Sequence, residues 1–501
     1  MFSFISIEFS LCFIVFFCLY WLLGARPRLQ NILLLCTSYL IVYLCGKLPA
    51  LITLLIYTFI IYVISACINR SKKPRIWLIS GITITILQLI LWKYSDFFSA
   101  QINENSDWFR SNTDWIANVI LPLGLSYYSF QAISYLVSLY QLRNSRQIAG
   151  QPLSLSALAL HLAFFPTITA GPIARAYDAR GLTDISGQPC GMAAQIQAVE
   201  RRRILAPAVA LCMIVMALTK NWWFSGWIGD NWVDPVFANP MQYQSLEILA
   251  AIYGYTLQLF FNFSGYSDLM VGMGLLLGFR LPLNFRSPLL AYNIRDFWKR
   301  WHISLSTWIR DYIFIPLGGS RGSCIRTQLN LLIAMALSGI WHGNGWPFLI
   351  WGLLHGAGMI LLNLSDWLYS RLRHCTAEQA RDSLSKSGRV GKILSIIITV
   401  HFVCFCFVFF RAPTLNDALM LLHALFCNYI NVPLSTNPFY FFSLLLLAWI
   451  AYPLLTRLTK QLFQRAESLP RYSLIVPLLL LLVLILICAP AGIPGFIYAN
   501  F

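Results

Sequence analysis

The chain reads as an all-α, polytopic membrane protein of about a dozen transmembrane and re-entrant helices, and three observations predict it. Of 501 residues, 58% are hydrophobic and only 11% are charged, against roughly 25% charged in a soluble domain. Apolar stretches of about 20 residues, the length that crosses a bilayer, recur from end to end. The 36 Lys and Arg outnumber the 19 Asp and Glu, a formal charge of +17. That excess sits in short clusters between apolar runs, as in proteins oriented by a membrane rather than in those that bind nucleic acid. A soluble multidomain protein is excluded.

Four spans come first, at 7–23, 29–46, 50–68 and 76–92. The N-terminus lacks the basic stretch and cleavage site of a removable signal peptide, so the first helix is expected to stay. Arg26 and Arg28 mark loop one, Arg70, Lys72, Lys73 and Arg75 loop three, Arg143 and Arg146 loop five. Between them, 93–116 is acidic, with Asp96, Glu104, Asp107 and Asp114 against Lys93 and Arg110. This alternation predicts an outside N-terminus and cytoplasmic loops one, three and five. The span 117–139 contains Pro122-Leu-Gly-Leu-Ser-Tyr-Tyr-Ser-Phe-Gln131, whose hydroxyls at membrane depth should face a cavity or another helix. Residues 157–170 are short and flanked on both sides by basic clusters (Arg175, Arg180 and Arg201 to Arg203 follow); a re-entrant segment is expected.

After a span at 204–220, residues 245–279 are apolar apart from Asn262-Phe-Ser-Gly-Tyr-Ser-Asp268. Such a helix would measure ~52 Å, too long for a ~30 Å core, so a break near Ser264-Gly265 is expected. Residues 286–326 carry seven basic side chains against Asp296 and Asp311, interleaved with Phe297, Trp298, Trp301, Trp308, Tyr312 and Phe314. A basic, Trp-rich stretch of this kind belongs at the cytoplasmic interface. The apolar run 328–340 is only 13 residues long and ends at Trp341-His342-Gly343-Asn344-Gly345-Trp346-Pro347. A second apolar helix, 348–363, then leads to a basic loop with Arg371, Arg373, Arg381, Lys386, Arg389 and Lys392. The pair is expected to be a re-entrant hairpin that carries His342 into the membrane interior. Spans at 393–410, 437–456 and 472–489 place the loop with Arg457, Lys460, Arg465 and Arg471 inside and the C-terminus outside.

Seven histidines are candidates for chemistry: His161, His302, His342, His355, His374, His401 and His423. A histidine in an apolar segment is more often a packing residue than a catalyst. His342 stands out because Gly343 and Gly345 let substrate or backbone come close, because an ionisable group deep in a bilayer is a functional candidate, and because neutral imidazole takes a proton near physiological pH. For His302 a structural and a catalytic role compete evenly. His355 reads as packing or cavity lining, and His374 as a solvated loop residue. The 13 cysteines contain no CxxC pair and mostly lie in apolar helices, which favours packing thiols over a disulfide framework or metal site. There is no GxxxxGK or HExxH motif and no His-x4-Asp. Gly318-Gly319-Ser320-Arg321-Gly322 matches GxSxG, but a nucleophile elbow needs a strand–turn–helix; this match reads as chance.

A series of ordered blocks resembles the membrane-bound O-acyltransferase family, in particular its bacterial branch of alginate O-acetylases, peptidoglycan O-acetyltransferases and the teichoic-acid D-alanyl transfer protein. The blocks are residues 122–135, Phe164-Phe-Pro-Thr-Ile-Thr-Ala-Gly-Pro-Ile173, Phe263-Ser-Gly-Tyr-Ser-Asp268, Gly278-Phe-Arg280 and Asn284-Phe285. They continue through Asp296-Phe-Trp-Lys-Arg-Trp-His-Ile-Ser-Leu-Ser-Thr-Trp308, Arg310-Asp-Tyr312 and Ile315-Pro-Leu-Gly-Gly319. Gly339-Ile-Trp-His-Gly343, Trp351-Gly-Leu-Leu-His-Gly356 and Phe409-Phe-Arg-Ala-Pro413 complete them. Asn262 departs from the related motif, which usually opens with Asp, so position 262 is given no acid–base role.

The resemblance implies helices around a central tunnel in which donor and acceptor meet from opposite faces, with residues 1–115 as peripheral helices and 116–501 as the catalytic core. It implies His342 as the catalytic histidine and His302 as a second family histidine in the same tunnel. Asp268, Trp298, Arg300, Trp301, Trp341, Asn344 and His355 are candidate lining residues. The expected activity is O-acetylation of a cell-envelope polysaccharide, alginate-type or peptidoglycan, from cytosolic acetyl-CoA, with no bound cofactor or metal. Expected partners are acetyl-CoA, a periplasmic acetyltransferase or esterase-like protein, the polymer and the bilayer of a bacterial inner membrane, with no nucleic acid. Tyr498, in the tail after Pro490 and Pro494, is a candidate acyl relay, although an interfacial aromatic anchor is the favoured reading. The alternatives are D-alanyl transfer to teichoic acid and a non-catalytic acyl or lipid transporter, whose broken helices and deep polar residues would look similar.

Overall fold

The computed structural model describes residues 4–94, 124–144, 151–169, 171–177, 182–343, 345–376, 379–381, 388–431, 433, 435 and 437–468, with isolated positions at 480, 483 and 487. The described residues are all-helical, and the only pairing of strand type among them is an isolated bridge between Thr183 and Pro189. Eight of the described helices are long and apolar enough to cross a membrane. The apolar side chains they leave uncovered, such as Leu446, Leu447, Ile450 and Leu454 on one helix, are what a hydrocarbon solvent requires. The protein is a multi-pass membrane protein.

Its contacts form two compact units, residues 1–210 with 270–283, and residues 211–269 with 284–501. In the first, α1 (Ile7–Leu22) starts at Ser6, whose hydroxyl accepts the Phe9 amide at 3.1 Å. The spans expected at 29–46 and 50–68 are two helices, numbered together as α2 (Pro27–Arg70), that meet at a kink where Lys47 adopts φ 59° just before Pro49. The kink follows from chemistry: Pro49 removes a backbone donor and its ring crowds the preceding turn. Next come α3 (Pro74–Lys93) and α4 (Leu125–Asn144). The hydroxyl-rich face of α4 is buried, and its Tyr128 hydroxyl accepts a hydrogen bond from Gln88 at 3.1 Å. The segment expected to be re-entrant is two short helices, α5 (Leu155–Ala163) and α6 (Phe165–Ile168), interrupted at Phe164 ahead of Pro166.

A small helix, α7 (Met192–Gln197), follows. Residues 277–283 are stitched to this unit by polar contacts: the Tyr20 hydroxyl donates to the Leu277 carbonyl at 2.9 Å, and Arg280 donates to Asp184 at 2.7 Å.

The second unit contains most of α8 (Pro207–Ala238), a helical run with two π-type stretches at Thr219–Ser225 and Gly229–Val233. It also contains α9 (Ser245–Leu276) as far as Leu269. The break expected near Ser264-Gly265 is absent, and α9 is continuous over 32 residues. Gly265 is there for packing: a Cβ on it would lie 2.2 Å from the Asn221 amide nitrogen and 3.0 Å from the Ala217 carbonyl oxygen. The polar knot is absorbed by a neighbouring helix instead of unwinding its own.

The basic aromatic stretch folds as α10 (Ile294–Arg300) and α11 (Ile303–Ile309), then a π-type turn, Arg310–Phe314. The pair around His342 is α12 (Cys324–His342) and α13 (Trp346–Leu372). Helix α12 has 19 residues where the apolar run alone counted 13. Its extra turn is polar and is capped by Ser323, which accepts the Arg326 amide at 3.3 Å, so hydropathy missed it. At ~28 Å the helix is not the short one that argued for a re-entrant hairpin. The unit closes with α14 (Arg389–Arg411), α15 (Leu415–Asn431) and α16 (Asn437–Ser468).

The GxSxG match lies in an exposed turn after α11, with Gly318 and Gly319 at positive φ and no sheet around it. Cysteines among the described residues carry free thiols.

Candidate functional site

The site is built by elements of the second unit. Helix α10 is capped by Asn293, whose side chain accepts the Asp296 amide at 2.8 Å. Asp296 in its first turn and Lys299 and Arg300 in its last suit the helix dipole. Arg300 is held by Asp296 at 2.9 Å. From α10 a guanidinium reaches α13: Arg295 donates to Asn363 at 2.8 Å and to Asp366 at 2.7 Å. Asn363 in turn donates to Gln328 of α12 at 2.9 Å. This chain of polar contacts fixes α10 to both helices of the His342 pair.

Those helices meet backbone to backbone. A Cβ on Gly339 would sit 2.2 Å from the Phe348 carbonyl oxygen, and one on Gly352 would sit 2.4 Å from that of Met335. Small residues at a helix crossing let membrane helices pack this closely. The result lowers the end of α12, with Trp341 and His342, onto the start of α13.

Between α10 and α11, His302 adopts φ 42° and ψ 55°, a left-handed conformation unusual for a side chain of its size. Asn284 holds the turn: its carbonyl accepts the Ile303 amide at 2.9 Å, and its side chain accepts the Ser304 hydroxyl at 2.6 Å. Strain of this kind persists only where the surroundings enforce it, and it gathers at working sites.

The side chains so placed form a continuous file of rings. His302 lies 4.6 Å from Phe263 and 6.5 Å from Trp341, and Trp341 lies 4.6 Å from His342, centroid to centroid. His342 meets Trp351 at 5.1 Å and Phe410 at 5.0 Å. Trp351 meets His355 at 4.9 Å, and Trp298 closes on both, 5.8 Å from Trp351 and 5.1 Å from His355. All three histidines are buried, at 3% exposure for His342, 1% for His302 and 0% for His355. Burial also lowers the His302 imidazole to about 3, so it is neutral at physiological pH. Both ring nitrogens of His302 and of His355, and the indole nitrogens of Trp298 and Trp351, are buried with no hydrogen-bond partner among the described residues.

Of the sequence-derived candidates, His342, His302, His355, Trp341 and Trp298 come together in this file. Trp301 stands beside it in an aromatic layer with Phe297, Phe285 and Phe407. Asp268 is taken by an ion pair with Lys220 at 2.5 Å, and Arg300 by its pair with Asp296. Asn344 and Tyr498 lie outside the described residues. Sequence reasoning missed Trp351, although it precedes His355 by one helical turn, and missed Lys220, although a cation inside an apolar run is itself a signal. It gave no role to Asn284 or Arg295, whose contacts depend on tertiary placement.

Residues 75–409 match the profile of the membrane-bound O-acyltransferase family. The chain is 32% identical over 425 residues to the probable alginate O-acetylase of Pseudomonas aeruginosa, covering 82% of this chain and 72% of that one. It is 32% identical over 397 residues to the peptidoglycan O-acetyltransferase of Helicobacter pylori, covering 75% and 69%. A more distant likeness, 29% over 300 residues and 58% of this chain and 69% of the other, is to the teichoic acid D-alanyltransferase of Bacillus subtilis.

Proposed function

The chain belongs to the membrane-bound O-acyltransferase family and is an O-acyltransferase, and on that premise we propose that it moves acetyl from cytosolic acetyl-CoA to a hydroxyl of a cell-envelope polysaccharide. The observation that carries the reading is the buried His302–Trp341–His342 file at the end of α12. The broader and closer match to relatives named as O-acetylases favours acetyl over D-alanyl transfer.

In the proposed reaction His342 takes the proton of the acceptor hydroxyl as its oxygen attacks the thioester carbonyl carbon. The carbonyl π electrons move to oxygen. When the intermediate collapses, the carbon–sulfur bond breaks, and the proton passes from His342 to the departing CoA thiolate. The products are an acetyl ester and CoA. The basic loop 286–326 suits the phosphates of CoA if it faces the cytoplasm of a bacterial inner membrane. An esterase-like protein across the membrane suits the further handling of the acetyl group. The family match and the relatives named for acyl transfer favour an enzyme over a passive transporter.

Replacing His342 with Ala should lower CoA release by at least about 10²-fold, measured with purified protein, acetyl-CoA and an oligosaccharide acceptor, while the melting temperature in detergent stays close to wild type. Full CoA release by a folded His342→Ala protein would refute the assignment.

A further inference from the structure

Trp298 and Trp351 come from different helices, α10 and α13, and both bury an indole N–H that no protein acceptor takes among the described residues. Buried donors are seldom left so. The two rings lie 5.8 Å apart at 75° to one another, with His355 packed edge-on against both. Trp351 also touches His342 at 5.1 Å. Two buried donors in neighbouring rings, one of the rings packed against the proposed base, in a site shielded from water, suit a carbonyl oxygen as it gains charge. Indole suits that task because it donates only, carries no charge of its own and is rigid. Trp301, which stands beside the file, is not among the side chains with an unsatisfied buried nitrogen.

We propose that the indole N–H groups of Trp298 and Trp351 bind the acyl carbonyl oxygen and stabilise the oxyanion formed when the acceptor attacks, with His355 as the positioning residue that sets their orientation. This rests on His342 being the base and adds the second half of the machinery. No proton changes hands at the two indoles: they donate hydrogen bonds to the oxygen while His342 holds the acceptor's proton, and both bonds shorten as charge moves onto that oxygen. Arg295 belongs to the same arrangement, since its bonds to Asn363 and Asp366 hold α10 against α13 and so hold one indole against the other.

The test separates the N–H from the ring. Benzothienylalanine at position 351 or at 298 keeps the bicyclic shape and replaces N–H with sulfur. Trp351→Phe and Trp298→Phe provide a second pair. The expected result is a fall in kcat of roughly 10²–10³ for each loss of a donor, with KM for acetyl-CoA within a few-fold and, in the sulfur-containing variants, an unchanged melting temperature. His355→Gln should lower kcat less. An independent readout is the carbonyl infrared band of ¹³C-labelled acetonyl-CoA, a ketone that cannot expel CoA. Its frequency should be lower when bound to wild type than when bound to either sulfur-containing variant. Equal kcat and an equal carbonyl frequency in the sulfur variants would overturn the proposal while leaving the base intact. Wild-type activity in His342→Ala would instead remove the reading it rests on.

Discussion

At His302, left-handed backbone and burial occur together, and the burial has a consequence for pH. The unfolded chain binds a proton there below about pH 6.5, whereas the folded site resists protonation down to about 3. The unfolded state therefore holds more protons between those values, and stability rises with pH across that window and is lost as pH falls through it. In detergent, the melting temperature should drop as pH goes from 7 to 4, and His302→Asn, which tolerates left-handed backbone and does not titrate, should show a shallower drop. An identical slope in the variant would show that His302 is not held neutral. The place of His342 at the end of an apolar helix was legible because two glycines and an apolar run isolate it. The conformation of His302 was not, because nothing in Trp-His-Ile signals a positive φ; it is imposed by Asn284, many residues upstream.

Among the elements, the α12–α13 pair depends on two glycines whose absent side chains let one backbone rest on the other. Gly352→Val would push a methyl group toward the Met335 carbonyl, where a Cβ alone already sits at 2.4 Å. Overpacking of this kind costs about 1–3 kcal/mol, and the shift it forces moves His342 away from Trp351. The variant should melt several degrees lower and lose most acetyl transfer, whereas Gly388→Ala, where a Cβ meets nothing within 4 Å, should change neither. Wild-type melting and activity in Gly352→Val would show that the close crossing is dispensable. Element type was legible along nearly the whole described chain, because apolar runs of that length have few other solutions. Element ends were not. The polar first turn of α12 and the unbroken α9 were hidden because a cap, or a neighbour such as Asn221, does what hydropathy assigned to a loop.

For the whole molecule, alternating charge predicts where each loop lies. Fusions of a fluorescent reporter at residue 380 and of a phosphatase at residue 501 should be active in the cytoplasm and in the periplasm respectively; the opposite pattern would invert the topology and place the basic loops away from CoA. The all-helical membrane class was legible from composition, and the family from ordered motifs. The ring file was only partly legible: its histidines lie on separate segments, and their approach depends on Arg295, Gly339 and Gly352 working at a distance in sequence. The deciding question is whether one buried imidazole drives transfer from a donor on one side of the membrane. Sealed proteoliposomes with acetyl-CoA enclosed and an oligosaccharide acceptor outside measure this directly. Wild type should deliver acetyl ester to the outer acceptor, and His342→Ala should deliver none. Ester formed equally by both proteins would contradict the account.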